Sequence, residues 1–312
     1  MKNKRIIYIL FSIALVLLGM FSAYFVYKKA LVALTVLLND HQEKYEELSL
    51  QINGNKKYEY DYSFLKKPSL IAHGLGKTED NDYQTNTLEA FENSYKSGYK
   101  LFEADLTYTD DNYLVCVHGA GTWHSFVGDN DMPFTYENFK KNKILNKYTP
   151  IDYKDLIDLL IKYDDIYLIT DTKYTDAENY VCQFQLIINY ALEKDASVLE
   201  RIIPQFYTKE MLFDVMSLYD FKSVIFTLYQ YNDGEAWDAK DVGSFCVKHG
   251  VKCVTCWESM AEEEIVRLWN NLGIKVCVHT VDDLKMAEKC FEKGITAIYT
   301  DEIEPSMVGE EN

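Results

Sequence analysis

From Pro68 onward the chain alternates short apolar runs with longer stretches whose apolar residues recur at helical spacing. The runs predict strands over 69–73, 101–108, 114–118, 166–171, 202–206, 223–229, 252–257, 275–280 and 296–299. The stretches between them predict helices over 87–97, 152–163, 177–193, 209–219, 239–249, 261–272 and 283–293. Strands that alternate with helices of this length are joined by crossovers, which bring each strand back parallel to the last. Repeated eight times across residues 67–312, the unit predicts an α/β fold of the (β/α)8 TIM-barrel type, with a doubly wound sheet as the alternative.

The N-terminal pattern is different. From Ile6 to Tyr27 the chain has 22 residues and no charge, flanked by Lys2, Lys4 and Arg5 before and Lys28 and Lys29 after. A helix rises about 1.5 Å per residue, so this run matches the roughly 30 Å hydrocarbon core of a bilayer. It is long for a signal-peptide core, and Phe21 stands where a cleavage site wants a small residue. Residues 1–38 are therefore expected to form one transmembrane anchor. Residues 39–66 are polar and read as a stalk, and residues 67–312 as the barrel. The slight excess of positive charge before the apolar run places the N-terminus inside and the barrel outside the cell membrane.

Charge narrows the partners. The chain carries −17 overall; removing the five positive charges of residues 1–29 leaves −22 on the rest. Only three arginines are present, Arg5, Arg201 and Arg267. A body this acidic lacks the basic clusters that neutralise nucleic-acid phosphates, so no nucleic acid is expected, and no protein partner is inferred. An anionic substrate needs a local positive charge to approach it. The seven cysteines (116, 182, 246, 253, 256, 277 and 290) form no even framework. Cys253-x-x-Cys256 has no second pair to complete a zinc site, so the cysteines read as buried free thiols.

Barrel chemistry gathers at the C-terminal ends of the strands, and polar residues interrupt the apolar runs there. His73 closes the first run and His118 the third. Glu103 and Asp105, two apart on the second, point to one face. The intervening Phe102, Ala104 and Leu106 need the outer face for burial, which sends both carboxylates into the barrel mouth. Two bare anions are costly there without a cation. Asp171 and Lys173, Gln205 and Tyr207, His279 and Asp301 end later runs.

These blocks resemble the glycerophosphodiester phosphodiesterase family, within the wider group of barrel phosphodiesterases that includes phosphatidylinositol-specific phospholipase C. The resemblance spans about residues 69–303. Its motif positions here read His73-Gly74, Thr85-Asn86-Thr87 before Ala90-Phe91, Glu103-Ala104-Asp105, Thr109 through Asn112, and His118-Gly119. Later positions read Asp171-Thr172-Lys173, His279-Thr280-Val281, and Gly294 with Thr300-Asp301. Gly74 stands where the family has a phosphate-binding arginine, Thr85 where it has a metal-binding glutamate, Gly119 where it has aspartate, and His279 where it has tryptophan.

The resemblance implies His73 and His118 as the acid/base pair, and Glu103, Asp105 and Asp171 as ligands of one divalent cation, Mg²⁺ or Ca²⁺. Glu79, Asp80 or Asp82 could add a ligand. Lys173 is the remaining fixed positive charge for phosphate. Gln205, Tyr207, Trp257 and His279 complete the expected substrate-binding set. The expected activity is metal-dependent hydrolysis of a small phosphodiester: a glycerophosphodiester, a phospholipid headgroup or a glycerol-phosphate polymer near the membrane. Two alternatives stand beside it, a barrel that binds without turnover and a metal-independent lyase of the phospholipase C kind.

Overall fold

The structure, a computed structural model, describes residue 44 and residues 48–231 and 237–309. It divides into two units, residues 1–54 and 55–312. In the first, residues 48–53 are helical, and the Asn53 side-chain amide donates to the Ser49 carbonyl at 3.0 Å. The expected anchor, residues 1–38, lies outside the described residues. Among those described, no helix is long and apolar enough to cross a membrane.

The second unit is the barrel. Its strands are β1 (Ser69–Ala72), β2 (Leu101–Tyr108), β3 (Leu114–Cys116), β4 (Tyr167–Asp171), β5 (Ile202–Phe206), β6 (Ile225–Thr227), β7 (Cys253–Trp257), β8 (Lys275–His279) and β9 (Ala297–Thr300). Eight of them pair in parallel in the order β1-β9-β8-β7-β6-β5-β4-β2, and β1 pairs with β2 to close the ring. Closure excludes the doubly wound alternative, whose sheet stays open. Side-chain alternation follows the sequence argument. The Phe102 ring sits 4.6 Å from that of Phe91 on the covering helix Leu88–Lys96, while Glu103 and Asp105 face inward.

β3 is the ninth strand, outside the eight repeated units. It is antiparallel to β2, with Leu106 opposite Cys116 and Tyr108 opposite Leu114, and it is not a barrel stave. The link Thr109–Tyr113 is too short for a crossover, which needs about a dozen residues. The Thr109 hydroxyl ties the turn by donating to Asp111 at 2.6 Å and accepting from the Tyr113 N–H at 3.0 Å. Beyond β3 the chain forms a small module on its own core of Val117, Trp123, Phe134, Phe139, Ile144 and Tyr148. Two short helices there, Ala120–Val127 and Tyr136–Lys141, have no counterpart in the sequence reading.

The segment read as the end of the stalk belongs to the barrel unit. Tyr60, Tyr62 and Leu65 are buried. The Tyr62 hydroxyl donates to the Val224 carbonyl at 2.7 Å, and Lys275 Nζ donates to the Leu65 carbonyl at 2.9 Å. These partners lie where β6 and β8 begin, so the tyrosine-rich segment covers the barrel end opposite the mouth. Its alternating aromatics make it a cover rather than a spacer. Six of the seven cysteines are buried free thiols, as expected; Cys182 is exposed.

Candidate active site

Parallel register places Asp105 directly beside Asp171, with Glu103 one pleat below on the same face. All three carboxylates are buried, and one oxygen from each lies within 4.8 Å of the others. Among the described residues this is the one group of acidic, histidine or cysteine side chains placed to hold a metal. The donors suit a hard divalent cation, which prefers carboxylate oxygen. Asp171 Oδ1 is buried without a hydrogen-bond partner, so the set has an oxygen to give. Asp80 and Asp82 accept instead from the Tyr148 hydroxyl, at 2.9 and 2.6 Å, and stand outside the cluster.

Neighbouring loops hold each carboxylate. The Gly74 N–H donates to Glu103 Oε2 at 2.7 Å. Asn86 clamps Asp105 twice: its Nδ2 donates to Asp105 Oδ2 at 2.7 Å, and its Oδ1 accepts the Asp105 N–H at 3.0 Å. Thr85, at the position of the absent glutamate, turns away, with its hydroxyl 2.9 Å from that of the helix-capping Thr87. Gly74 has φ +54°, and a Cβ there would lie 2.7 Å from the Cα of Gln84. The loop carrying Gln84 therefore takes the place an arginine side chain at 74 would need.

Lys173 Nζ lies 2.6 Å from Asp105 Oδ1 and also bonds Asp171 Oδ2. Burial opposes its charge, but Asp171, Asp105 and Glu103 outweigh that and raise its pKa above the ordinary lysine value. Burial raises the Glu103 pKa well above the usual carboxylate range, and the Asp105 charge adds to it. Asp171 also goes up, by burial, against the pull of Lys173. Burial pushes Asp105 the same way, yet the Lys173 charge and hydrogen bond win and lower it.

His73 Nδ1 is 3.0 Å from Asp301 Oδ1, and Gln84 Nε2 donates to Asp301 Oδ2 at 2.7 Å. Burial resists protonation of His73, but the Asp301 hydrogen bond and the charges of Glu103, Asp301 and Asp105 push its pKa up to about 9. His118 is exposed and comes from the loop after β3. Both histidines open on one cavity of about 490 Å³, which Glu103, Asp171, Lys173 and Gln84 also line.

Opposite them stands an aromatic wall. The His279 ring centroid is 3.7 Å from that of Tyr229 and 4.1 Å from that of Trp257, which is 41% exposed. Burial, with the positive charges of His73 and Lys173, lowers the His279 pKa to about 3, so this imidazole is neutral. Tyr207, Gln230, Thr175 and Thr280 complete the lining. Gln205 is not part of it. It sits deeper in the barrel, where its Oε1 accepts from the Tyr299 hydroxyl at 3.0 Å. Asn86, Gln84, Asp301 as a partner of His73, and Tyr229 did not emerge as site residues from the sequence. The Asn86 position in the motif and the Asp301 strand end were the available signals. A second cavity, of about 360 Å³ at the other end of the barrel, is lined by Phe64, Lys66, Lys67, Lys100 and Tyr167 and gathers no carboxylate or histidine.

Comparison with known proteins places this geometry. The sequence model of the glycerophosphoryl diester phosphodiesterase family matches residues 78–305. A glycerophosphodiester phosphodiesterase from Parabacteroides distasonis superposes with a TM-score of 0.59 at 20% identity, covering 76% of this chain and 93% of that one. A phosphodiesterase from Oleispira antarctica, solved with the product sn-glycerol-3-phosphate, gives 0.62 at 17% identity, covering 80% and 97%. A glycerophosphodiester phosphodiesterase from Thermotoga maritima gives 0.55 at 16% identity, covering 75% and 94%. At these identities the structural likeness concerns the fold. The comparison with curated proteins gives no match.

Proposed function

The chain belongs to the glycerophosphoryl diester phosphodiesterase family, a family of phosphoric diester hydrolases, and from that premise we propose how its own residues divide the work. The substrate is a small phosphodiester with a glycerophosphoryl part, a class supported by the product held in the Oleispira structure. One observation carries the reading: both histidines and the carboxylate cluster border a single cavity.

Glu103, Asp105 and Asp171 hold a divalent cation, Mg²⁺ or Ca²⁺. When bound, such an ion supplies positive charge against the charge that develops on phosphate oxygens. His73, carrying its proton at neutral pH because of Asp301 and the carboxylates, gives that proton to the leaving alkoxide. His118 takes the proton from the attacking hydroxyl, whether of water or of the substrate itself. The wall of His279, Tyr229 and Trp257 presents neutral aromatic surface to the organic part of the substrate. The uncharged Ile6–Tyr27 segment tethers the barrel to the cell membrane and raises the local concentration of substrate there.

A second reading is favoured by one contact. The Lys173 ammonium already lies between Asp105 and Asp171, so it could serve as the site's positive charge in a metal-independent lyase. Full-length protein assayed on a panel of glycerophosphodiesters with Mg²⁺, Ca²⁺ or EDTA separates the two. The metal reading expects turnover that EDTA abolishes and that Glu103→Gln loses. Turnover indifferent to EDTA supports the lyase, and none on any substrate indicates a binding protein.

A further inference from the structure

Gln84 belongs to none of the motifs described so far, yet it lines the cavity and touches the group that holds His73. Its backbone is left-handed, at φ +55°, an uncommon conformation for a residue other than glycine, asparagine or aspartate. Two clasps keep it there. The Asn86 N–H donates to the Gly74 carbonyl at 3.1 Å, and Gly74 has no Cβ to fend off the Gln84 Cα.

Asp301 is fixed from three sides. Its N–H donates to Asp282 Oδ1 at 2.7 Å, its Oδ1 faces His73 Nδ1, and its Oδ2 accepts from Gln84 Nε2. The carboxylate is nearly buried, with 4% of its side chain exposed, so an oxygen deprived of its donor has little water to turn to. The Gln84 amide is therefore what stops the carboxylate from rotating about its last bond.

We propose that Gln84 is a positioning residue for the reaction: through Asp301 it fixes the His73 ring with its Nδ1–H on the carboxylate, so that the Nε2–H is the one turned to the cavity. The inference rests on the acid/base role proposed above for His73. A carboxylate partner on one ring nitrogen fixes the ring orientation and with it the direction of the other N–H. In this chain the loop that replaces the family's arginine at 74 supplies the anchor for that carboxylate. The departure at Gly74 is thus coupled to a gain at Gln84.

The test uses the full-length chain with histidine ring nitrogens labelled with ¹⁵N, the His73 signals being identified by their loss in His73→Ala. Gln84→Asn keeps a residue that tolerates φ > 0 but shortens the amide by one methylene, out of reach of Asp301. Gln84→Met keeps the length and removes the donor. Both are expected to lower kcat about tenfold or more with KM within about twofold, and to weaken the hydrogen-bonded His73 Nδ1–H, read as a shift and broadening of its signal. The proposal is overturned if both variants keep the wild-type His73 spectrum, or if KM rises while kcat holds, which would make Gln84 a substrate contact. If His73→Ala turns over like the wild type, the acid/base reading fails, and the spectrum alone then decides the positioning.

Discussion

Asp105 and Asp171 stand side by side on adjacent parallel strands, and one lysine, Lys173, bonds to both. The lysine follows β4 in the left-handed conformation, at φ +57°, which turns its side chain back over the strand end. Three buried carboxylates thus share one ammonium, and anything that neutralises them competes with it.

The first expectation follows from that competition. In Lys173→Met the carboxylates lose their counter-charge, and leaving a buried charge unpaired costs about 3–5 kcal/mol. Thermal unfolding without added metal should show a clear drop in Tm, largely restored by millimolar Mg²⁺ or Ca²⁺. A variant as stable as wild type and indifferent to both ions would refute the shared-charge account.

Asn86 gives a second test. From the loop before the helix Leu88–Lys96, its side chain holds Asp105 by two hydrogen bonds. Partners that orient a metal ligand typically contribute about 10- to 100-fold in affinity. Titration calorimetry of Asn86→Ala with the divalent cation should show a loss of that size, with Tm much less affected than in Lys173→Met. Unchanged affinity would mean that Asp105 needs no orienting.

The parity of Glu103 and Asp105 was legible in the sequence because it is local: Phe102, Ala104 and Leu106 claim the buried outer face, and alternation does the rest. The eightfold strand–helix rhythm was legible for the same reason. The pairing of His73 with Asp301 spans 228 residues of chain and exists only because β1 and β9 meet when the barrel closes. The Gln84 amide had still less to announce it, since a loop glutamine is ordinarily solvated. The direction of β3 was not legible from its apolar run, because four apolar residues in a row look alike in parallel and antiparallel strands; only the length of the preceding link decides. The helices Ala120–Val127 and Tyr136–Lys141 are too short to show a period, although Thr135 caps the second by accepting from the Asn138 N–H. Tyr229 was hidden among 25 tyrosines.

Gly74 supplies a third prediction. Any side chain there meets the Gln84 backbone at 2.7 Å and must adopt φ near +54°. Gly74→Ala should destabilise the fold by about 1–3 kcal/mol, read from denaturant unfolding. Gly74→Arg, which restores the residue usual in the family, should lose activity rather than gain it. Improved turnover in that variant would show that the Gln84 loop yields easily.

The fourth concerns pH. The His73 pKa is raised in the fold from an ordinary 6.5 to about 9, so the folded state holds this proton more tightly than the unfolded chain. Its stabilising contribution is complete below about pH 6.5 and is lost as pH rises through about 9. Metal-free protein should therefore lose Tm across that window, and Asp301→Asn, which removes a main cause of the shift, should flatten the slope. A wild-type Tm that rises from pH 6.5 to 9 would contradict the assigned environment of His73.

The central claim is that His73 and His118, facing one cavity beside Glu103, Asp105 and Asp171, cleave a phosphodiester. Phosphorus NMR follows it directly, with full-length protein, a divalent cation and a glycerophosphodiester in one tube. The account predicts that the diester resonance decays into a phosphomonoester with wild type, that either His73→Ala or His118→Ala slows this at least about 100-fold, and that Glu103→Gln does the same. Wild-type rates in both histidine variants would contradict it.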